Sequence, residues 1–360
     1  MILSIIAVIF TFGVVIFIHE FGHFLVCKLS GIAVENFSFG FGKELFGFTK
    51  KETRYSLRAV PLGGYVKPKG EDIEEHKGES DEYFSKPWYI RLAVVWAGPA
   101  MNYLLAFVVF FFVISFVGRP VITDKPVIGS IAEDFPADKA GLKENDRIIS
   151  INGVKMETWT QMSSLIHSSP QKEITLEYER SGVVSSVKIT PVKSPSDSAK
   201  GIVGIAPATE YVPVGIGKAV LMSAHQCWYW TAFTVESLAK SIYRMEKPDV
   251  SGPIGIVTIV SKAARSGASD FFFLLGLISI AVGFFNLLPI PLLDGGHSIL
   301  YIFEGLTRKR LTVQIMKYVN SAGIALLLGI FLFATYNDIK RIYEAHFAKP
   351  KSEAVSKEGK

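Results

Sequence analysis

Eighteen uncharged residues at the start of the chain run directly into His19-Glu20-Phe21-Gly22-His23. A run of that length and apolarity suits a helix that crosses a bilayer, which takes about 20 residues. On such a helix the two imidazoles, four residues apart, share a face and can reach one zinc ion. Glu20 then lies beside them, able to take a proton from water and pass it to a leaving amine. H-E-x-x-H alone turns up by chance in many proteins. Here its setting adds weight, because two histidines and a glutamate at the end of an apolar helix are costly in a bilayer unless a metal or partner compensates them. Zinc also needs a third protein ligand, which has to come from elsewhere in the chain.

Three further stretches are long enough to cross. Residues 92–118 are uncharged between Arg91 and Arg119, residues 271–293 lie between Asp270 and Asp294, and residues 318–337 between Lys317 and Asp338. Hydrophobic residues make up 49% of the 360 and the mean hydropathy is positive, which together exceed what a soluble domain of this length usually shows. The sequence therefore predicts a polytopic α-helical membrane protein with four transmembrane helices. The first run lacks a basic leader and a small-x-small cleavage site, and reads as a retained helix. The net charge of +5 is spread over loops and tail with no basic stripe, which favours a membrane surface over nucleic acid. Cys27 and Cys227 have neither a disulfide framework nor a metal-ligand spacing, and read as small apolar fillers.

Lysine and arginine in short loops set orientation. The first loop carries eleven, from Lys28 to Arg91, and the loop before the fourth span adds Arg308, Lys309, Arg310 and Lys317. Both loops are expected on the cytoplasmic side, leaving the segment between spans two and three outside with both termini, although six basic residues in the tail pull the other way.

Between the first two spans, Phe37, Phe39 and Phe41 alternate with small or polar residues, and residues 53–66 continue in that style. This period predicts a membrane-associated β-hairpin within residues 28–90, either a plain amphipathic hairpin or an edge strand for an extended substrate. The acid- and lysine-rich residues 70–85 read as a solvated, mobile loop. In the second span, Gly98-Pro99-Ala100-Met101-Asn102 combines a helix-loosening proline, small residues that admit a close neighbour, and an amide that wants a partner. Asn102 either joins two helices or lines a cavity.

Residues 121–195 alternate like short strands, with an Asn152-Gly153 turn and a helical stretch at 157–167. The run from Pro136 to Gly153, with Ala140-Gly141-Leu142 and Asp146-Arg147-Ile148-Ile149-Ser150-Ile151-Asn152, resembles the core of a PDZ domain. That resemblance implies an inserted PDZ-like α+β domain with a peptide groove along 127–132 beside a helix near 158–166. Residues 211–246, interrupted by Lys218, His225 and Glu236 and rich in Trp228, Tyr229 and Trp230, are expected as an amphipathic interfacial helix, and Gly252-Pro253 as a turn.

The third span ends in Asn286-Leu287-Leu288-Pro289-Ile290-Pro291-Leu292-Leu293-Asp294-Gly295-Gly296-His297. Two prolines must break the helix, which is tolerable where the backbone lines a cavity. Asp294 either completes a two-histidine, one-carboxylate zinc site or is an ordinary helix-end acid, with His297 as a spare ligand. Asn286 could hydrogen-bond a peptide carbonyl as charge develops on it.

Taken together, H-E-x-x-H in the first span, G-x-x-x-N in the second, a PDZ insert, and N-x-x-P-x-P-x-x-D-G-G in the third resemble the site-2 protease family of intramembrane metalloproteases, in its bacterial PDZ-containing branch. The resemblance implies Zn2+ held by His19, His23 and Asp294, Glu20 as general base, and substrate positioning by Asn286, Asn102 and a hairpin with Gly40 and Gly42. It further implies a bacterial inner-membrane enzyme with its PDZ domain extracytoplasmic. Its partners would be single-pass transmembrane substrates, such as anti-sigma factors or signal-peptide remnants, already shortened by an upstream site-1-type protease. The best-known members carry two tandem PDZ domains, and this chain has room for one. Two rivals remain: a non-catalytic PDZ-bearing adaptor, separable by zinc content, and an ion transporter, which would usually show internal repeats absent here. The expected segments are helix 1–27, loop and hairpin 28–90, helix 91–118, PDZ-like domain 121–195, interfacial helix 211–246, helix 270–297, helix 317–338 and a flexible tail 339–360.

Overall fold

The computed structural model describes residues 2–72, 74–194, 197–244, 252–309 and 312–347. In chain order the elements are α1 (Ile2–Leu29), β1 (Val34–Lys50), β2 (Thr53–Pro68) and α2 (Trp88–Phe116), followed by an inserted run of short elements. These are β3 (Arg119–Ile122), β4 (Ile128–Ile131), α3 (Pro136–Lys139), β5 (Arg147–Ile151), β6 (Val154–Lys155), α4 (Trp159–His167), β7 (Ile174–Arg180), β8 (Val183–Ile189), β9 (Val192–Lys193), β10 (Gly201–Ile202), β11 (Ile205–Pro207) and β12 (Thr209–Val212). Five helices close the chain: α5 (Ile216–Arg244), α6 (Pro253–Ser266), α7 (Ala268–Asn286), α8 (Asp294–Thr307) and α9 (Val313–Phe347). Two compact units result, one from Met1–Ile114 with Ile216–Lys360 and one from Ser115–Gly215.

In the first unit α1, α2, α7 and α9 are long and apolar enough to cross a membrane. β1 and β2 curl into one sheet in which residues 36–39 lie between 54–57 on one side and 64–67 on the other, while 44–50 pair with 53–58. The phenylalanine alternation lays the sheet on α1: Phe37 stacks on Phe24 at 4.7 Å, and Phe39 meets Phe17 at 5.7 Å. At the far tip Leu45, Phe46 and Phe48 are exposed.

Residues 70–85 were expected to be solvated and mobile; the described part is organised around the buried Glu82, whose carboxylate accepts the backbone N–H of Lys77, Gly78 and Glu79. Lys69 pairs with both Glu79 and Asp81. High charge misleads here because three amides and a lysine satisfy it locally.

Arg91, expected to flank the second span, is buried inside α2 and pairs with Glu304 of α8. Its guanidinium lies over the rings of Phe84 (5.2 Å) and Tyr301 (4.8 Å), which replace much of its lost hydration. Residues 270–297 are not one helix. α7 stops at Asn286, residues 287–293 form an irregular connection around Pro289 and Pro291, and Asp294 opens α8. The turn expected at Gly252-Pro253, entering a short apolar piece, is the start of helix α6, with Pro253 at its first position, where its missing N–H costs nothing. The buried Asp338 of α9 accepts from the N–H of Gly252, Ile254 and Gly255, capping α6 from another helix. α9 also outruns the expected 317–338, so the start of the supposed tail is helical; residues 348–360 lie outside the described residues.

The second unit reaches beyond the expected 121–195. β12 pairs with β3, β11 with β4 and β10 with β9, so residues 192–212 close ladders that begin at Arg119. Strands of two to four residues are too short to show a period of two. Consequently the helix expected from 211 starts at Ile216, and residues 245–246 lie outside the described residues. A four-stranded sheet, β6-β5-β7-β8, packs Ile148, Ile151, Ile174 and Leu176 against Met162 and Ile166 of α4. The groove expected along 127–132 is covered at its start. β4 is bonded to β11 on one side and to the Asp146–Arg147 backbone on the other. The strand beside α4 is β10, where a Cβ on Gly201 would lie 2.7 Å from the Ile166 carbonyl.

Candidate metal centre

His19 and His23 present their Nε2 atoms to Asp294, whose Oδ2 lies 3.1 Å from the first and 3.6 Å from the second. Ligands about 2.0–2.2 Å from a tetrahedral zinc stand roughly 3.3 Å apart, so these spacings suit the ion. Asp294 Oδ2 is buried and makes no hydrogen bond among the described residues, although an imidazole nitrogen is close by. A buried carboxylate oxygen left in that state is costly, and a cation between the three groups would remove the cost. The ligand atoms all lie within 4.8 Å of one another, and two imidazoles with one carboxylate are a common zinc donor set with an open fourth position. The three residues fit a zinc ion.

α2 fixes both imidazoles without supplying a ligand. His23 Nδ1 donates to the Val94 carbonyl at 2.8 Å; that oxygen can only accept, so the lone pair of the neutral ring is at Nε2. His19 Nδ1 faces the side-chain amide of Asn102 at 3.2 Å. Midway between, Gly98 leaves the room the rings occupy: a Cβ there would lie 2.3 Å from His23 Nε2 and 2.8 Å from His19 Cε1. The helices can come this close because Gly22 of α1 meets the Ala97 carbonyl, where a Cβ would be 2.3 Å away.

Asp294 is delivered by the break that the prolines impose. As the first residue of α8 it sits where the chain turns back under residues 287–293, and Arg91 clamps the same helix near its far end through Glu304.

A cavity of about 600 Å³ joins these groups, with His19, Glu20, His23, Asn286, Asp294 and His297 in its wall. β2, the loop that follows it, α2 and α9 also contribute, among them Val66, Glu71, Val94 and Asn320. Glu20 Oε2 accepts from the Val66 N–H at 3.2 Å, tying the glutamate to the outer strand of the sheet. Asn286, at the last position of α7, donates its amide to the Val282 carbonyl at 2.9 Å. His297 stacks on Tyr301 (centroids 6.2 Å apart) and is outside the three-residue cluster.

Of the sequence-predicted residues, five meet here: His19, Glu20, His23, Asn286 and Asp294. Asn102 is fully buried behind His19 and takes no part in the cavity wall. Gly40 and Gly42 are also outside it. Both have positive φ (+89° and +81°), and Gly40 packs where a Cβ would meet the Val60 carbonyl at 2.7 Å, so they turn the strand at its corner. The sequence reading allowed Gly98 a close neighbour without naming the two imidazoles as that neighbour, and missed the Val94 carbonyl and the loop acids. That neighbour could have been found from the four-residue interval of Gly98 to Asn102, which matches that of the histidines; a backbone carbonyl leaves no signal.

The model for peptidase family M50 matches residues 7–330. Zinc metalloprotease RasP of Geobacillus kaustophilus is 32% identical over 94% of this chain and 98% of its own. Regulator of sigma-W protease RasP of Bacillus subtilis is 29% identical over 94% of this chain and 99% of its own. Among solved structures, the PDZ domain of an SdrC-like protein from Listeria monocytogenes matches 24% of this chain and 90% of its own, with 21% identity and a TM-score of 0.21. With a full-length relative above 30% identity and a family match across nearly the whole sequence, the chain belongs to peptidase family M50, the site-2 protease family of zinc metalloproteases.

Proposed function

We propose that this chain is an intramembrane endopeptidase that cuts the membrane-spanning segments of single-pass proteins. The observation that carries it is the meeting of His19, His23 and Asp294 on one cavity with Glu20 alongside, at the end of a helix apolar enough to cross a bilayer. Bound zinc would supply Lewis-acid chemistry, activating water and polarising the scissile carbonyl. Glu20 is the general base: its carboxylate is on the cavity wall, held by the Val66 N–H, and passes the proton it accepts to the leaving amine. Asn286, on the same wall, orients the carbonyl that develops charge.

A transmembrane helix hides its carbonyls in its own hydrogen bonds, so the substrate must be locally unwound before attack. Residues 64–67 form the outer strand of the β1–β2 sheet and pass Glu20, where an extended segment can add. The exposed Leu45, Phe46 and Phe48 suit a hairpin tip that sits in the membrane. In our reading the enzyme is a multi-pass protein of the bacterial inner membrane. The inserted unit is PDZ-like, faces away from the cytoplasm and restricts access to substrates already shortened by another protease. The name of the Bacillus relative, a sigma-W regulator, supports anti-sigma factors as one substrate class; remnant signal peptides are a second.

Glu20→Gln tests the assignment. The variant should keep stoichiometric zinc and lose cleavage of a single-span reporter. Cleavage at the wild-type rate would remove Glu20 from the chemistry, and zinc-free wild-type protein would overturn the site.

A further inference from the structure

Asn102 is enclosed on every side, with no exposed surface. Its main-chain carbonyl accepts the hydroxyl of Ser279 on α7 at 2.8 Å, and Gly283 of the same helix leaves room for its Cβ, so its position is fixed from behind. In front of it stands His19 Nδ1 at 3.2 Å. An imidazole that gives its Nε2 lone pair to a metal carries its proton on Nδ1, and that proton needs an acceptor. An amide NH2 cannot accept, whereas the amide oxygen can. Asn102 Oδ1 is buried without a hydrogen-bond partner among the described residues when Nδ2 faces the ring. The two ends of an amide are nearly isosteric, so half a turn of the side chain brings Oδ1 to the ring in the same space.

We infer that Asn102 is a positioning residue for the metal, not a contact for substrate: its side-chain oxygen accepts the His19 Nδ1 proton and keeps Nε2 directed at Asp294. This rests on the zinc-site reading above and deepens it. It also makes the two histidines equivalent. Each has its outer nitrogen held by α2, His23 through the Val94 carbonyl and His19 through the Asn102 amide. The family resemblance had suggested substrate positioning for Asn102, which its lack of cavity surface does not support.

The test measures metal affinity on the purified full-length protein by competition between zinc and a chromogenic chelator. Asn102→Leu should bind zinc about 10- to 100-fold more weakly, the cost typical of losing such an outer partner. Asn102→Asp offers only acceptor oxygens and should stay within about 3-fold of wild type, with KM for a reporter substrate unchanged. Cobalt-substituted protein adds a spectroscopic reading: its d–d bands should shift in the leucine variant and not in the aspartate one. Wild-type affinity and an unshifted spectrum in Asn102→Leu would overturn the inference while leaving the zinc site standing. If the leucine variant fails to fold, a 10-fold or greater loss of affinity in Asn102→Asp overturns it instead. Absence of zinc from wild type would fail the site itself.

Discussion

Gly98→Ala is the smallest change that should remove the metal. The new Cβ would stand 2.3 Å from His23 Nε2, 2.6 Å from His23 Cε1 and 2.8 Å from His19 Cε1, where ordinary contact begins near 3.4 Å. His23 Nε2 must therefore retreat by about 1.1 Å, or α1 and α2 must part by that much. Zinc sites tolerate about 0.2 Å in a ligand distance, so a displacement five times larger uncouples one of three protein ligands. Helix separation is resisted too, because Gly22 already rests on the Ala97 carbonyl and the Val94 carbonyl holds His23 Nδ1. Zinc affinity should fall by at least 100-fold, and reporter cleavage with it. The helix itself should not suffer, since alanine is a better helix former than glycine by about 1 kcal/mol. The assay pairs zinc per chain after purification with helix content by circular dichroism and cleavage of a single-span reporter. Stoichiometric zinc with wild-type cleavage in Gly98→Ala would show that the imidazoles do not occupy that space, and would refute the reasoning.

Two other outcomes follow from charges away from the metal. Replacing Arg91 with leucine strands the half-buried Glu304 and should cost about 2–3 kcal/mol, while the double change Arg91→Leu/Glu304→Leu should recover most of that; unfolding in detergent measures both, and a single variant within about 1 kcal/mol of wild type would count against the clamp on α8. In the inserted unit, burial alone would raise the Asp146 carboxyl, but the two-pronged bond from Arg180 and the Lys143 amide outweigh it and hold it below the ordinary carboxylate range. A depressed folded-state value gives stability that is complete above about pH 4 and lost as pH falls through the lower value, because the unfolded chain then binds the extra proton. Thermal melts from pH 6 down to pH 2 should show this loss in wild type and a flatter profile in Asp146→Asn; identical profiles would reject it.

The features legible in the sequence were those written as long periods or as fixed spacings of rare residue types. The long apolar helices α1, α2 and α9 follow from unbroken apolar runs, the sheet at β1 from alternating phenylalanines, and the stop after α7 from Pro289 and Pro291. What could not be read depends on partners far away in the chain. Arg91 looks like a boundary charge until Glu304, Phe84 and Tyr301 surround it. Asp338 looks like the end of a span until the N-terminus of α6 is placed against it. Residues 196–210 belong to no expected element because the strands there exist only by pairing with segments some 75 to 90 residues earlier or with β9.

The metal centre divides along the same line, and the division explains why H-E-x-x-H is only half of a site. Its two histidines are four residues apart; on α2 the Val94 carbonyl, the gap at Gly98 and the Asn102 amide also recur at intervals of four. Two helices running in opposite directions, matched at Gly22 and Ala97, bring these intervals together so that His23 meets Val94 as His19 meets Asn102. A slip of one turn, about 5.4 Å, would part both pairs at once and set Gly98 against the wrong side chain. Register between α1 and α2 is thus part of the ligand geometry. G-x-x-x-N holds the acceptor and the space that H-x-x-x-H requires, and Asp294, delivered separately by the proline break, finds its two partners already oriented.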